Sequence, residues 1–156
     1  MGSHRSPTER SYLVPGRFED RKFESRRERY YEGLATIESL GYGFDDFVHH
    51  FPCFVGHMTL SRFLALYECY KETLGVPGHI ADVGVFKGAS LLWWAKLIQI
   101  FEGEALTQVY GFDWFKGMHG GEETPNVEVG SYAESPERLL QLIEAQDLDN
   151  LVHVHD

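Results

Sequence analysis

The chain has 156 residues, 43% of them apolar and 14% aromatic, and a formal net charge of −10. That length makes one domain or most of one, with enough apolar side chains for a core, so disorder throughout is excluded. The acidic balance argues against nucleic acid as a partner, because phosphate binding needs a positive face.

The charge is uneven. Residues 1–30 hold eight Arg and Lys against five Asp and Glu, and the remainder holds six against nineteen. Residues 1–23 read as a mobile basic arm punctuated by Pro7, Pro15 and Gly16. No apolar signal core follows Met1, and no window approaches the ~18–20 apolar residues of a membrane span, so a cytoplasmic protein without a membrane partner is expected. Cys53 and Cys69 show neither CxxC nor metal-ligand spacing and read as free thiols in a reducing cytosol.

Residues 24–78 read as an N-terminal helical part. Tyr30, Tyr31, Leu34, Ile37 and Leu40 lie at helical spacing over 24–40, and Gly41 stops the run. Residues 43–54 are aromatic and read as irregular. A second helix is predicted over 59–74, with Thr59 as N-cap. Its stripe of Leu60, Phe63, Leu64 and Tyr67, extended by Tyr70 and Leu74, reads as core. Gly75-Val76-Pro77-Gly78 then breaks the chain.

From residue 79 the pattern becomes β-α-β-α-β. Strands are predicted at 79–83, 108–112 and 151–155. A helix over 89–101 is apolar almost all round, which predicts burial on more than one side. A Gly/Glu-rich loop spans 114–132, a length typical of a lid, a binding loop or disorder. Ser135 and Pro136 give a strong helix start, for a helix ending near Leu148. Parallel strands in the order 3-2-1 follow, half of a doubly wound, Rossmann-like α/β sheet. Strand 1 would normally pair on both sides, so 79–156 reads as the first half of a domain that either continues in a longer chain or has its free edge covered by something else.

The first βα turn is the most informative stretch: Ile80-Ala81-Asp82-Val83-Gly84-Val85-Phe86-Lys87-Gly88-Ala89-Ser90. Gly84 lets the chain leave the strand sharply without blocking a ligand, and Gly88 lets the helix start approach closely. Ser90 places a hydroxyl near the first free helix N–H groups. Asp82, beside the turn, suits a ligand with an ammonium group and would repel a pyrophosphate. Asp113, at the end of the second strand, is placed to accept hydrogen bonds from ribose hydroxyls. Together these groups match the amino, carboxylate and ribose parts of S-adenosylmethionine. The competing dinucleotide pattern wants glycine at the position of Phe86 and an acid about 20 residues on.

The segment over 76–118, with Val-Pro-Gly-His-Ile-Ala-Asp-Val-Gly-Val-Phe-Lys-Gly-Ala-Ser and then Val-Tyr-Gly-Phe-Asp-Trp-Phe-Lys-Gly-Met, resembles the macrocin O-methyltransferase (TylF-like) family. Those are class I S-adenosylmethionine-dependent enzymes of sugar and natural-product decoration. The wider pattern also resembles the catechol-type O-methyltransferases. The chain departs from the macrocin pattern with Asp82 where Glu is usual, His79 where an earlier Asp is usual, and Trp114 after Asp113 in place of a small hydroxyl residue. The resemblance implies that Gly84, Gly88 and Ser90 line the methionine end of the cofactor. It places the cofactor's amino group at Asp82 and its ribose at Asp113. Phe86 belongs to the same turn, Phe112 and Trp114 would flank the adenine, and Asp156 would stand at the third strand's end near it.

Methyl transfer to a hydroxyl needs sulfur, methyl and oxygen in line and a route for the hydroxyl proton. The resemblance implies a divalent metal, such as Mg2+, and acid or histidine groups from the second half of the sheet. No catalytic base and no metal ligand is therefore assigned in this chain. His119 and Glu122-Glu123 read as solvated loop residues, His153 and His155 as edge or buried histidines, and His49-His50 has no partner pattern. The expected function is an O-methyltransferase, or its cofactor-binding part, acting on a hydroxylated small molecule such as a sugar. The alternatives are an NAD-type oxidoreductase module and a non-catalytic interaction domain whose aromatic N-terminal helices form a homo-oligomer or cover the sheet edge.

Overall fold

In a computed structural model the chain is described over residues 18–103, 106–119 and 129–156, with side chains from residue 29 onward. It divides into two compact units, residues 1–56 and 57–156. The expected arm lies outside the described residues up to 17.

The first unit contains α1 (Phe18–Ser39), α2 (Phe44–His50) and a single 3-10 turn, Phe51–Cys53. α1 begins at Phe18, so residues 18–23, expected in the arm, are helical. The stretch expected to be irregular is helical as well. Gly43 is its N-cap, and the Gly43 N–H donates to Asp46 Oδ2 at 3.1 Å. Asp45 and Asp46 in the first turn and His49 and His50 in the last complement the helix dipole.

The second unit contains α3 (His57–Thr73), β1 (Ile80–Val83), α4 (Ala89–Phe101), β2 (Val109–Phe112), α5 (Pro136–Glu144) and β3 (Val152–His155). α3 starts at His57, so Thr59 lies inside the helix instead of capping it. It packs on α4 within this unit: Phe63 meets Trp93 at 5.0 Å between ring centroids, and Tyr67 stacks on Phe101 at 5.7 Å. The break at residues 75–78 is thus a connection inside the unit. Of the expected stripe, Tyr70 is fully enclosed, while Leu64 and Leu74 stay exposed. The Tyr70 hydroxyl donates to Glu102 Oε1, and Thr107 Oγ1 donates to Glu102 Oε2 at 2.9 Å. Burial first, and that hydrogen bond second, raise the phenol's pKa well above its ordinary value.

All three strands are parallel, in the order β1-β2-β3, the expected 3-2-1 arrangement. Register aligns Val83 with Phe112 and Phe112 with His155, so the three carboxyl ends finish level. Side chains alternate across the sheet. Val109, Gly111 and Val152 face the core with Leu91, Ala95 and Ile98 of α4. A Cβ on Gly111 would meet Leu91 and Val85 at 2.9 Å, so glycine there lets α4 lie against β2. Val83, Tyr110, Phe112, His153 and His155 occupy the other face. Val83 is 81% exposed there.

α5 starts as its sequence predicts: Ser135 Oγ accepts the Arg138 N–H at 3.3 Å, with Pro136 in the first turn. It stops at Glu144, short of the expected end near Leu148. Asp147 turns left-handed at φ 55°. The Leu148 N–H bonds Ile143 O at 3.1 Å and the Asp147 N–H bonds Glu144 O at 3.0 Å, the paired bonds of a Schellman ending. Leu148 and Ile143 are both buried, closing the turn with an apolar contact.

Candidate functional site at the strand tips

The carboxyl ends of β1, β2 and β3 bring the sequence-predicted residues to one edge of the sheet, where ligands of open α/β sheets sit. At the first tip, Asp82 pairs in register with Gly111. Its Oδ2 is enclosed by protein and has no hydrogen-bond partner among the described residues. An enclosed acceptor without a donor is uncommon and calls for one. Gly84 follows at φ 84°, its N–H donating to Phe112 O at 2.9 Å. A Cβ built there would meet nothing within 4 Å, so open space lies over Gly84.

Gly88 serves a different purpose. It caps α4 in the left-handed region, and a Cβ would meet Leu139 Cδ1 at 2.4 Å. The glycine therefore admits α5 to the start of α4. No side chain caps α4 among the described residues. Its first N–H groups remain suited to an anion. Ser90, the second residue of the helix, is 9% exposed.

Asp113 joins the first two tips. Its Oδ2 accepts the Phe86 N–H at 2.7 Å and its Oδ1 accepts the Phe115 N–H at 2.8 Å. Both donors belong to bulky residues in the left-handed region, Phe86 at φ 51° and Phe115 at φ 54°. That conformation is costly for side chains with a Cβ. One carboxylate holds both in place. Each oxygen keeps a lone pair for a further donor, so the bridge is compatible with ribose hydroxyls. The backbone of Asp113 reaches the third tip, its N–H donating to His155 O at 3.0 Å.

Phe112 is 41% exposed and stacks on His155 at 5.2 Å with 19° between the planes. Trp114 is half exposed; the Lys116 ammonium sits 4.2 Å from its ring centroid and the His119 ring 5.4 Å away. Asp156, exposed, directly follows β3. His153 lies over Tyr110 at 5.0 Å on the exposed sheet face. Among the described residues no group of three His, Cys, Asp or Glu could hold a metal ion. Glu122 and Glu123 lie outside the described residues.

Sequence reasoning did not anticipate the second anchor of the glycine turn. The Phe86 ring meets Tyr132 edge-on at 5.6 Å. Lys87 Nζ lies 5.3 Å from the Phe86 ring and 4.0 Å from Glu134 Oε2. The long loop is drawn together at its base, where the Met118 N–H donates to Ser131 O at 2.8 Å and the Gly130 N–H donates to Met118 O at 2.9 Å. No local signal marks these contacts, because the partners stand far apart in the chain.

The residues fit S-adenosylmethionine on three counts. An enclosed unpaired carboxylate oxygen suits its ammonium, an uncapped helix start suits its carboxylate, and Asp113 has acceptor capacity left for the ribose. A dinucleotide fits less well, since Asp82 would face the pyrophosphate and the Phe86 side chain stands where a glycine is wanted.

Comparison with known proteins adds the following. No protein-family model matches the chain, and no curated protein matches it. Among solved structures it is similar to CalS11, a calicheamicin methyltransferase, with TM-score 0.66 and 21% identity over 100% of this chain and 63% of that one. An apo structure of CalS11, described as a TDP-rhamnose 3'-O-methyltransferase of calicheamicin biosynthesis, gives 0.58 and 21% over 92% and 57%. The O-methyltransferase NovP gives 0.49 and 19% over 60% and 43%, too slight a likeness to carry an argument. The likeness to CalS11 is one of fold: the chain is a mixed α/β protein of partial Rossmann-like form that spans 63% of that chain.

Proposed function

We propose that this chain is an S-adenosylmethionine-dependent O-methyltransferase, or the cofactor-binding part of one, acting on a hydroxyl of a sugar or natural-product-like small molecule, of the macrocin type. The observation that carries the reading is the unpaired Asp82 Oδ2 at the tip of β1, in the same strand-to-helix turn as the open space over Gly84. When bound, the cofactor supplies an electrophilic methyl group. Asp82 would bind its ammonium, the start of α4 with Ser90 its carboxylate, and Asp113 its ribose. Phe112, Trp114 and Asp156 would border the adenine. The strand-tip bridge made by Asp113 would keep these groups at fixed separation, so that the donor is presented in one orientation.

The sugar-type acceptor is proposed from the fold likeness to CalS11 together with the resemblance of the two motifs. No residue of this chain is assigned as catalytic base or metal ligand. Calorimetric titration tests the proposal. S-adenosylmethionine and S-adenosylhomocysteine are expected to bind and NAD to give no heat. Binding of NAD without either adenosyl compound would overturn it.

A further inference from the structure

Among the described residues, four other than glycine hold a left-handed backbone: Phe86, Phe115, Tyr132 and Asp147. Asp147 ends a helix, and aspartate adopts that region readily. The other three are bulky aromatics, for which it is strained. Strain of this kind persists only where the surroundings fix it, and it gathers at ligand sites. Asp113 accounts for two of the three, through the N–H groups of Phe86 and Phe115. Tyr132, at φ 63°, is the third, and its ring meets the Phe86 ring edge-on at 5.6 Å.

Tyr132 is itself fixed on both flanks. Ser131 O accepts the Met118 N–H at 2.8 Å, and the Glu134 N–H donates to Phe115 O at 3.1 Å. A Cβ on Gly117 would meet Gly130 O and Ser131 O at 2.7 Å, so backbone lies directly on backbone at this neck. The contacts close a circuit. It runs from Asp113 to Phe115, from Phe115 to Glu134, along the chain to Tyr132, across to Phe86, and from Phe86 to Asp113 again. A second tie runs beside the ring pair, with Lys87 Nζ 4.0 Å from Glu134 Oε2. The lysine side chain is 66% exposed, and an ion pair so placed contributes little. The ring pair therefore carries the brace.

We propose that Tyr132 is a positioning residue for the methyl donor, acting through Phe86. The inference rests on the proposed function, in which the turn from Asp82 to Ser90 holds the amino acid end of S-adenosylmethionine. Phe86 stands midway between the two glycines of that turn. Asp113 holds its N–H and the Tyr132 ring holds its side chain. With both holds the turn is set before the ligand arrives, and less binding energy goes into ordering it. Without the Tyr132 ring, Phe86 is free to leave its strained backbone well. The bond from the Gly88 N–H to Val85 O at 2.9 Å, which closes the turn, then loosens with it.

Calorimetric titration of the full chain and of Tyr132→Asn and Tyr132→Phe tests this, with S-adenosylmethionine and 5′-methylthioadenosine as ligands. Asparagine adopts a left-handed backbone readily, so Tyr132→Asn removes the ring without adding strain. It should raise the dissociation constant for S-adenosylmethionine by roughly 2- to 12-fold, the worth of an edge-to-face pair. Binding of 5′-methylthioadenosine, which makes no use of the turn, should not change. Tyr132→Phe keeps the ring and should bind both ligands as the wild type does. Hydrogen exchange without ligand reads the brace itself: in Tyr132→Asn the Gly88 amide should exchange faster, while the amides of Val109 and Val152 in the sheet keep their rates. A wild type that binds neither compound would overturn the proposed function, and this role with it. Where the wild type binds, four results would overturn the role of Tyr132 alone: full affinity in Tyr132→Asn, equal weakening of both ligands, lost affinity in Tyr132→Phe, or a Gly88 amide that is unchanged or quickens only along with the sheet.

Discussion

Replacing Asp82 by Asn separates ligand binding from folding more cleanly than any other single change. The side chain keeps its shape and loses its charge. With S-adenosylmethionine, the lost partner is an ammonium, and a hydrogen bond between charged groups is worth about 1.5–3 kcal/mol. The dissociation constant should therefore rise roughly 10- to 150-fold. 5′-Methylthioadenosine, which has the adenosine and no amino acid part, should bind both proteins equally. The effect on the free protein runs the other way. Oδ2 is enclosed without a donor, which is a cost to folding of about 1 kcal/mol at the low end for a buried unsatisfied group. An amide keeps a polar atom in that enclosed place, so removing the charge recovers only part of the cost and should raise the melting temperature by less than roughly 4–8 °C. Isothermal titration with the two ligands and a thermal melt without ligand make the measurement. An unchanged affinity for S-adenosylmethionine, or equal weakening of both ligands, would refute the assignment of Asp82 to the ammonium.

Asp113→Ala removes two bonds from a carboxylate to backbone N–H groups as well as any to ribose, so urea unfolding should show a loss of about 3 kcal/mol or more, and both adenosyl ligands should weaken together. Undiminished stability would mean that the bridge between the tips is not held by this side chain. The two turn glycines should part company. Gly84→Ala should lose about 1–2 kcal/mol of stability from its φ of 84° alone while sharply impairing binding. Gly88→Ala adds a collision with Leu139 at 2.4 Å and should lose about 2–5 kcal/mol, an ordering that paired denaturation curves can reject. Tyr70 predicts an alkaline effect. A phenol whose pKa is raised on folding stabilises fully below the unfolded value near 10 and loses that contribution as pH rises through it. Unfolding free energy should fall above about pH 10 by at most ~1.4 kcal/mol per pH unit, and Tyr70→Phe should abolish the slope.

What could be read from the sequence was what is local. The strand–glycine–helix succession, the apolar helix at Ala89–Phe101 and the Ser135-Pro136 start depend on neighbours within a turn or two, and the structure has them there. α2 was hidden for a physical reason. Its cap is a glycine with Asp46 reaching back, a weak signal, and aromatic residues have no strong helical preference to betray it. The end of α5 was overrun because Leu148 continues the apolar pattern after the helix has stopped; its burial comes from the turn that Asp147 makes. At the strand tips, Asp82 and Asp113 could be picked out as charged residues ending apolar runs. That Asp113 binds an N–H 27 residues away could not, because such a bond exists only once β1 and β2 lie side by side.

The double grip of Asp113 has a dynamic corollary. Phe86 and Phe115 each sit in a backbone well that neither would choose, and a single side chain keeps both from relaxing. The two loops should consequently breathe as one cooperative element. Amide protons at positions 86 and 115 ought to exchange with solvent at matched rates, and anything that engages the outer lone pairs of that carboxylate should slow the pair in concert.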